Sequence, residues 1–228
     1  MGNFPLEEND MLTTLQLYDL SHSLAGTYLS GFAYPWQALG GIQDLILELG
    51  AGLGEDYREV SPSVWVHTTA NVAPTAYLGA PCIIGAGTEV RHCAYIRGSA
   101  LVGNDCVVGN SVELKNVILF DNVQVPHYNY VGDSILGYKS HMGAGAVTSN
   151  VKSDKTLVVV KNGNEKMETG LKKFGAMLGD FVEVGCNSVL NPGTVIGRHS
   201  NVYPTSCVRG TVPERSIWKT GGVIVKKV

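Results

Sequence analysis

Residues 82–102 read CIIGAGTEVRHCAYIRGSALV, and an apolar residue recurs in this segment at every sixth position. The spacing holds over nine consecutive places: Val66, Val72, Leu78, Ile84, Val90, Ile96, Val102, Val108 and Leu114. Four residues after each comes a small or apolar side chain, such as Ala94, Ala100 or Cys106. A period of six fits neither an amphipathic helix nor an alternating strand. It is typical of a hexapeptide solenoid and predicts an all-β chain, a parallel β-helix with three hexapeptides in each coil and the apolar residue pointing inward.

The repeat also suggests how the chain is divided. It loses its phase near Phe120 and returns late in the chain, at Leu178, Val184, Leu190, Ile196, Val202 and Val208. We therefore predict a β-helix over residues 61–212 with an inserted loop at 151–173, which could hold a hairpin made of residues 156–160 and their return. A tail at 213–228 is expected to pack back along the coils, anchored by Ile217, Trp218, Val223 and Val225.

Residues 1–60 lack the repeat. Tyr34, Pro35 and Trp36 precede an apolar run that predicts a short helix ending at Gly50. We expect a helical N-terminal cap that packs on one end of the solenoid, because an uncovered end coil exposes core and strand edge. The segment has no glycine-rich nucleotide-binding loop and is short for a catalytic domain, so nucleotidyl transfer is not expected.

Bulk properties narrow the function classes. The net charge is −3, which disfavours nucleic acid and anionic membranes as partners. No apolar run is long enough to span a membrane, and residues 1–60 show no basic segment followed by an apolar core, so we expect no secretory signal. The five cysteines are odd in number and form no CxxC motif, which favours reduced thiols in a cytoplasmic protein, with Cys82 and Cys106 at interior corners.

Two basic residues lie one full coil apart. Arg97 and Lys115 are separated by three hexapeptides (115 − 97 = 18), and each directly follows an inward apolar residue. Parallel strands stack at about 4.8 Å, so the two cations are expected side by side. One interpretation is a phosphate clamp, since Arg offers a bidentate fork and Lys a point charge. The other is a pair of solvated surface residues with Glu113 as a partial counter-charge.

His127 follows Pro126 just after the phase slip and is a candidate general base. The alternative is a histidine with a structural role at a corner or an interface. The spacing gives no reason to assign a catalytic role to His67, His92, His141 or His199. Zinc binding across a subunit interface, as in β-helical carbonic anhydrases, is a further alternative, but their arrangement of ligands is missing.

These residues resemble the acetyltransferase domain of the bacterial bifunctional enzymes that combine N-acetylglucosamine-1-phosphate uridyltransferase and glucosamine-1-phosphate acetyltransferase. The resemblance covers residues 64–212. Its most specific parts are Val112-Glu113-Leu114-Lys115, the string His127-x-x-Tyr130-x-Gly132-Asp133, and Gly143-Ala144-Gly145 leading to Asn150. It implies a left-handed β-helix, a homotrimer with acyl-donor sites shared between subunits, and acetyl-CoA as co-substrate with no metal required.

The resemblance also implies roles for individual residues. His127 matches the general base, and the backbone N–H groups around 144–146 would meet the oxyanion. The implied substrate-binding residues are Arg97, Glu113, Lys115, Tyr130, His141 and Asn150. The implied coenzyme-binding residues are Ala144, Asn150, Cys186 and Pro204. His141 stands where the family has asparagine, Cys186 where it usually has serine, and the insertion at 151–173 lies near the expected cleft.

The sequence therefore predicts an acetyl-CoA-dependent N-acetyltransferase acting on an amino-sugar phosphate such as glucosamine-1-phosphate, without the uridyltransferase domain. Two alternatives stay open. One is a non-catalytic protein that binds a sugar phosphate or nucleotide sugar, and the other is an acyltransferase with a different amine acceptor.

Overall fold

The computed structural model describes residues 11–227. The helical elements are α1 (Thr14–Leu17), the 3₁₀ helix η1 (Leu20–His22), α2 (Gly26–Ser30), the 3₁₀ helix η2 (Pro35–Gly41) and α3 (Ile42–Ala51). The strands are β1 (Tyr57–Ser61), β2 (Val64–His67), β3 (Asn71–Val72), β4 (Tyr77–Leu78), β5 (Cys82–Ile84), β6 (Glu89–Val90), β7 (Tyr95–Ile96), β8 (Ala100–Val102), β9 (Val107–Asn110), β10 (Glu113–Leu119), β11 (Gln124–His127), β12 (Tyr130–Leu136), β13 (His141–Met142), β14 (Val147–Thr148), β15 (Val159–Asn162), β16 (Glu165–Glu168), β17 (Ala176–Leu178), β18 (Glu183–Val184), β19 (Val189–Leu190), β20 (Thr194–Ile196), β21 (Asn201–Val202), β22 (Cys207–Val208), β23 (Thr211–Val212), β24 (Ser216–Lys219) and β25 (Val223–Lys226).

The strands stack in parallel on three faces, which confirms the predicted parallel β-helix. The first face contains β2, β5, β8, the second halves of β10 and β12, β17, β20 and β23. The second face contains β3, β6, β9, β11, β13, β18, β21 and β24. The third face contains β4, β7, the first halves of β10 and β12, β14, β19 and β22. From Ile84 to Leu114 the residues of the repeat that were expected to point inward are buried.

The coils are not all of one length, and this explains the phase slip in the sequence. Ile96 pairs with Leu114, so this coil has the full length of three hexapeptides (114 − 96 = 18). Leu114 pairs with Val131, so this coil is shorter by one residue (131 − 114 = 17). The next pair on this face, Tyr130 with Val147, repeats the shorter step (147 − 130 = 17). The corner between the third and first faces is tightened here, and Lys115 and Asp133 lie at this corner.

The N-terminal segment packs along the first face, which corrects the expectation that it covers one end of the solenoid. The outward residues of this face form an apolar ladder that is at most 1% exposed: Ile83, Leu101, Ile118, Ile135, Met177 and Val195. Helix α3 packs on β5, β8 and β10, and η2 packs on β12. Further along the face, the Tyr18 hydroxyl donates a hydrogen bond to the Ile135 carbonyl at 3.3 Å. The first strand edge is covered by β1, which pairs antiparallel with β2.

The insertion does form a hairpin, as the sequence suggested. Strands β15 and β16 pair antiparallel across a tight turn at Gly163 and Asn164. The first strand begins at Val159, later than predicted, because the Asp154 carboxylate accepts the Thr156 N–H in a local turn. Val158 and Val160 are buried, and the hairpin packs on β20 and β23. The hairpin therefore extends the cover on the first face.

The tail at 213–228 corrects the prediction of a segment that leaves the repeat. Strand β24 continues the second face, with Trp218 paired to Val202 and buried. This step is shorter than three hexapeptides (218 − 202 = 16), which hid the repeat. Strand β25 then folds back antiparallel on β24 through a turn that includes Gly221 and Gly222, both with positive φ. Val223 is 55% exposed and is not an anchor.

Among residues 11–227, none of the helices has the length and apolar character that crossing a lipid bilayer requires.

Candidate active site

Arg97 and Lys115 occupy the same place on neighbouring coils, since Ile96 and Leu114 pair in register. They are not a bare pair of cations, however. Arg97 Nη1 lies 2.7 Å from Glu113 Oε1, and Lys115 Nζ lies 3.1 Å from Asp133 Oδ1. Each cation thus has its own carboxylate, so a phosphate at this place must share donors that are already paired. We call this corner, between the third and first faces, the Lys115 corner.

Asp133 is the centre of the hydrogen-bond network at the Lys115 corner. Its side chain is only 6% exposed, and both carboxylate oxygens accept from Lys115 Nζ, at 3.1 and 3.2 Å. Asn116 Nδ2 donates to Oδ1 at 3.0 Å, and Asn150 Nδ2 donates to Oδ2. Asp133 and Asn116 both have positive φ, a conformation that Asp and Asn tolerate in a tight corner. The sequence reasoning assigned no role to either, although Asp133 belongs to the string that carries the resemblance.

Tyr130 lies on the third face beside this network. The phenol is half-buried, and a Cβ added at Gly132 would overlap its hydroxyl oxygen, so the glycine makes room for the ring. Burial raises the pKa of Tyr130, and the negative charges of Asp133 and Glu113 raise it further. The hydroxyl is therefore protonated at neutral pH and can donate a hydrogen bond.

The Lys115 corner is held by the segments that cover the first face. Asn116 Nδ2 donates to the Leu39 carbonyl of η2 at 3.2 Å. The Phe174 N–H, at the end of the insertion, donates to the Asn150 carbonyl at 3.0 Å. Phe174 and Trp36 stack with ring centroids 5.8 Å apart. The cap and the insertion thus fix the position of the two asparagines.

A second group of candidate residues lies at the corner between the second and third faces, which we call the His127 corner. The Gly145 N–H donates to the His127 carbonyl at 3.0 Å, the Asn187 N–H to the Ala144 carbonyl at 2.8 Å, and the Thr205 N–H to the Cys186 carbonyl at 2.8 Å. These bonds stack the predicted general base and the predicted coenzyme residues on successive coils, in the order His127, Ala144, Cys186 and Pro204.

The His127 corner has an exposed imidazole over a rigid backbone. Within residues 11–227 the His127 ring makes no hydrogen bond, so it can accept a proton from a bound molecule. The backbone N–H of His127 donates to Asn129 Oδ1 at 3.1 Å, and Asn129 Nδ2 donates to the Gly143 and Ala146 carbonyls at 2.8 and 3.0 Å. Asn129, which the sequence reasoning missed, is buried and ties two coils together at this corner.

The backbone donors around 144–146 are fewer than expected. The Gly145 N–H donates to His127 and the Ala146 N–H to Gly143 at 3.0 Å, so both are engaged inside the fold. The Ala144 N–H has no hydrogen-bond partner in the described part of the chain. It is a backbone group at this corner that is available to an oxyanion.

His141 does not join the Lys115 network within this chain. It lies on the second face, where its Nδ1 is 2.8 Å from Glu183 Oε2. Gln124, Lys139 and Glu183 line the same shallow groove. No set of three or more His, Cys, Asp or Glu side chains in residues 11–227 is arranged to hold a metal ion.

The two groups therefore lie at different corners of one solenoid. The Lys115 corner presents paired charges and a phenol, as suits a polar sugar. The His127 corner presents an exposed imidazole and the free Ala144 N–H, as suits a carbonyl under attack. Within one chain the third face separates them.

Comparisons with known proteins agree with the resemblance. The profile of the family described as the GMPPB C-terminal domain matches residues 94–212, which is more than half of the chain. A bifunctional sugar-1-phosphate nucleotidylyltransferase/acetyltransferase of Sulfurisphaera tokodaii is 28% identical over 189 residues, 81% of this chain and 47% of the relative. The bifunctional protein GlmU of Methanococcus vannielii is 31% identical over 135 residues, 59% of this chain and 32% of the relative.

Among solved structures, the acetyltransferase domain of PglB from Neisseria gonorrhoeae FA1090 aligns with a TM-score of 0.36 and 17% identity, covering 75% of this chain and 62% of that chain. This chain spans less than half the length of the two curated relatives. On the profile match over residues 94–212, the chain belongs to the GMPPB C-terminal domain family.

Proposed function

We propose that this protein transfers an acetyl group from acetyl-CoA to the amine of an amino-sugar phosphate, with glucosamine-1-phosphate as the first acceptor to test. The observation that carries the proposal is the stack at the His127 corner. An exposed imidazole lies one coil below Ala144, whose N–H is free, and Cys186 and Pro204 follow on the next two coils of the same corner. The names of the relatives, which include acetyltransferase, support the same reaction.

In the proposed reaction the amine attacks the thioester carbonyl. His127 takes the proton that the nitrogen loses, a role that contributes roughly 10²–10⁴-fold. The tetrahedral oxyanion accepts a hydrogen bond from the Ala144 N–H. The C–S bond then breaks, and the CoA thiolate takes the proton back from the His127 imidazolium.

The Lys115 corner orients the acceptor in this proposal. Arg97 has N–H groups beyond the one that Glu113 accepts, and it is exposed. Asp133 holds the Lys115 ammonium in place, and the protonated Tyr130 hydroxyl can donate to a sugar oxygen. Holding the amine at a fixed place lowers the entropic cost of the attack.

In this proposal the two corners come from two copies of the chain, because within one chain the third face separates them. The first face is covered by residues 11–51 and by the hairpin, so neighbours have to pack on the second and third faces. The third face exposes Tyr77, Tyr95 and Val189, and the two tyrosines pair in register. We propose a homotrimer in which the His127 corner of one subunit approaches the Lys115 corner of the next.

The test is release of free CoA thiol from acetyl-CoA with glucosamine-1-phosphate as acceptor. His127→Asn is expected to abolish turnover. The matched control is His92→Asn, because His92 lies at the same corner two coils below, where the Asn110 side chain donates to its carbonyl at 3.0 Å. Its activity is expected to equal that of the unmodified protein.

The outcomes separate the alternatives. Turnover with other amino sugars but not with glucosamine-1-phosphate would keep the reaction and change the acceptor. Absence of turnover with every amine, with sugar phosphate still bound, would favour the non-catalytic binding protein. Equal losses in the two histidine variants would remove His127 as the base.

A further inference from the structure

A basic groove lies beside the inserted hairpin, apart from both groups of candidate site residues. Its cavity has a volume of about 310 Å³. The residues that line it are Lys152, Val159, Lys161, Lys166, Pro192, Arg209 and Gly210. Four of these seven residues are cationic and none is acidic.

Three of the four cations in the basic groove have no carboxylate partner among residues 11–227. Lys161 and Lys166 are directly opposite on β15 and β16, an arrangement of like charges that destabilises a strand pair. In the described part of the chain neither lysine nor Arg209 forms an ion pair, whereas Lys152 lies 3.5 Å from Asp154. At the Lys115 corner, by contrast, Arg97 and Lys115 each have their own carboxylate. Three unpaired cations that converge on one cavity favour binding of an anion.

The walls of the groove are fixed by close backbone packing. A Cβ added at Gly210 would lie 3.0 Å from the Lys161 carbonyl oxygen, and one at Gly193 would lie 2.8 Å from Val158 Cγ1. Both glycines have positive φ. The hairpin therefore lies directly on the last coils, and the lysines face a preformed cavity.

The position of the groove relates it to the candidate site. Thr148 pairs with Leu190, and Leu190 pairs with Val208, so Ser149, Asn191 and Arg209 follow one another up the Lys115 corner. Two steps of about 4.8 Å place Arg209 about 10 Å above Ser149. A ligand that is bound at Asn150 and extends along this corner would therefore place its next polar group in the basic groove.

We propose that the basic groove binds the pyrophosphate group of a nucleotide. Two or more adjacent anionic oxygens match three converging cations, since Arg gives a fork and each Lys a point charge. The pyrophosphate could come from CoA or from a nucleotide-linked amino sugar. These two sources rest on the proposed function, whereas the pyrophosphate chemistry does not.

The test is calorimetric titration of the full chain with inorganic pyrophosphate, with CoA and with UDP. Lys161→Gln combined with Lys166→Gln is expected to raise the Kd for pyrophosphate on the order of tenfold, because charge-assisted hydrogen bonds are lost. The matched control replaces Lys172 and Lys173 by Gln. They are exposed on the same insertion but do not line the groove, so the Kd stays within about twofold.

The titrations with CoA and with UDP identify which molecule supplies the pyrophosphate group. A loss of affinity for CoA with UDP binding unchanged assigns the groove to the coenzyme, and the reverse assigns it to a nucleotide sugar. Pyrophosphate that fails to bind, or that binds both double variants equally, overturns the proposal. A chain that binds pyrophosphate through these lysines but transfers no acetyl group upholds the groove and refutes the proposed function.

Thermal unfolding without ligand is the control that shows whether the variants fold. Lys166→Glu replaces the repulsive pair by an attractive one, so its Tm is expected to rise while pyrophosphate binding weakens. A fall in both would reveal a damaged hairpin, and the Gln variants then decide the question.

Discussion

Asp133→Asn is expected to destabilise the protein as well as disturb the Lys115 corner. Each carboxylate oxygen accepts from two donors: Oδ1 from Lys115 and Asn116, and Oδ2 from Lys115 and Asn150. An asparagine amide has one oxygen and one NH₂ group. In either orientation, its NH₂ group therefore faces one ammonium and one amide donor.

The magnitude follows from these contacts. A hydrogen bond to a charged group contributes about 1.5–3 kcal/mol. Asp133→Asn loses two bonds to the charged carboxylate, one from the Lys115 ammonium and one from an asparagine amide. The Lys115 side chain is 26% exposed and regains some water, so we expect a loss at the lower end of that sum, about 3 kcal/mol in the free energy of unfolding. Asp133→Ala removes all four bonds but is expected to cost less than their sum, because water can enter and accept from the same donors.

The assay is urea unfolding followed by circular dichroism, in which variants with equal m values are compared by their midpoints. Glu113→Gln is the matched control, since it removes the carboxylate of the other ion pair at the same corner. That pair is exposed to solvent, so the control is expected to unfold like the unmodified protein. If Asp133→Asn unfolds no earlier than Glu113→Gln, the buried network does not stabilise the corner and the reasoning is refuted.

Three further predictions concern packing, pH and assembly. Gly109→Ala places a Cβ where it overlaps the Pro126 carbonyl oxygen, so we expect a loss above about 4 kcal/mol, seen as insoluble or unfolded protein. Burial and neighbouring cations lower the pKa of His199 below its ordinary value of about 6.5, so the unfolded chain takes up a proton first as the pH falls. Stability is therefore complete above that value and declines below it, and His199→Gln should flatten this decline in unfolding midpoints measured between pH 5 and 8. Mixed oligomers of Lys115→Ala and His127→Ala, each inactive alone, should regain about a quarter of the CoA release, since one site in four combines two intact corners.

The inward half of the fold could be predicted from the sequence, because one residue in six must fill the narrow interior of each coil. Ile84, Val90 and Ile96 read directly as a core. The coil lengths could not be predicted in the same way. A corner that is tightened by a single residue after Lys115 preserves the stacking while it shifts every later position, and the repeat then appears to be lost.

The sequence also contains a signal that the first face is covered, but the hexapeptide pattern makes this signal hard to see. Strands that are buried on both sides read as continuous apolar runs. The first face has such runs at 82–84, 100–102, 117–120 and 176–178, whereas the third face alternates, with Tyr95 exposed beside buried Ile96. These runs locate the face that another segment must cover. The runs do not identify the covering segment, because that segment has no repeat and its position depends on tertiary packing.

The candidate site shows the same division between what spacing determines and what it leaves open. The full-coil interval between Arg97 and Lys115 is enough to stack them. Whether they are free to bind phosphate depends on Glu113 and Asp133, whose side chains reach them across the corner. Because both carboxylates are within ion-pair distance, the corner is close to neutral, and specificity there is expected to come from hydrogen bonds to the sugar more than from net charge.

The covered first face also constrains how two copies can meet. The Lys115 corner is bounded by the covered first face and the open third face, so a neighbour can reach it only across the third face. The His127 corner is bounded by the second and third faces, which the cap and the hairpin leave uncovered. Since the third face borders both corners, packing through its exposed Tyr77, Tyr95 and Val189 would bring His127 of one copy to the Lys115 corner of another. By occupying the first face, the helical cap leaves the proposed assembly the face that both corners share.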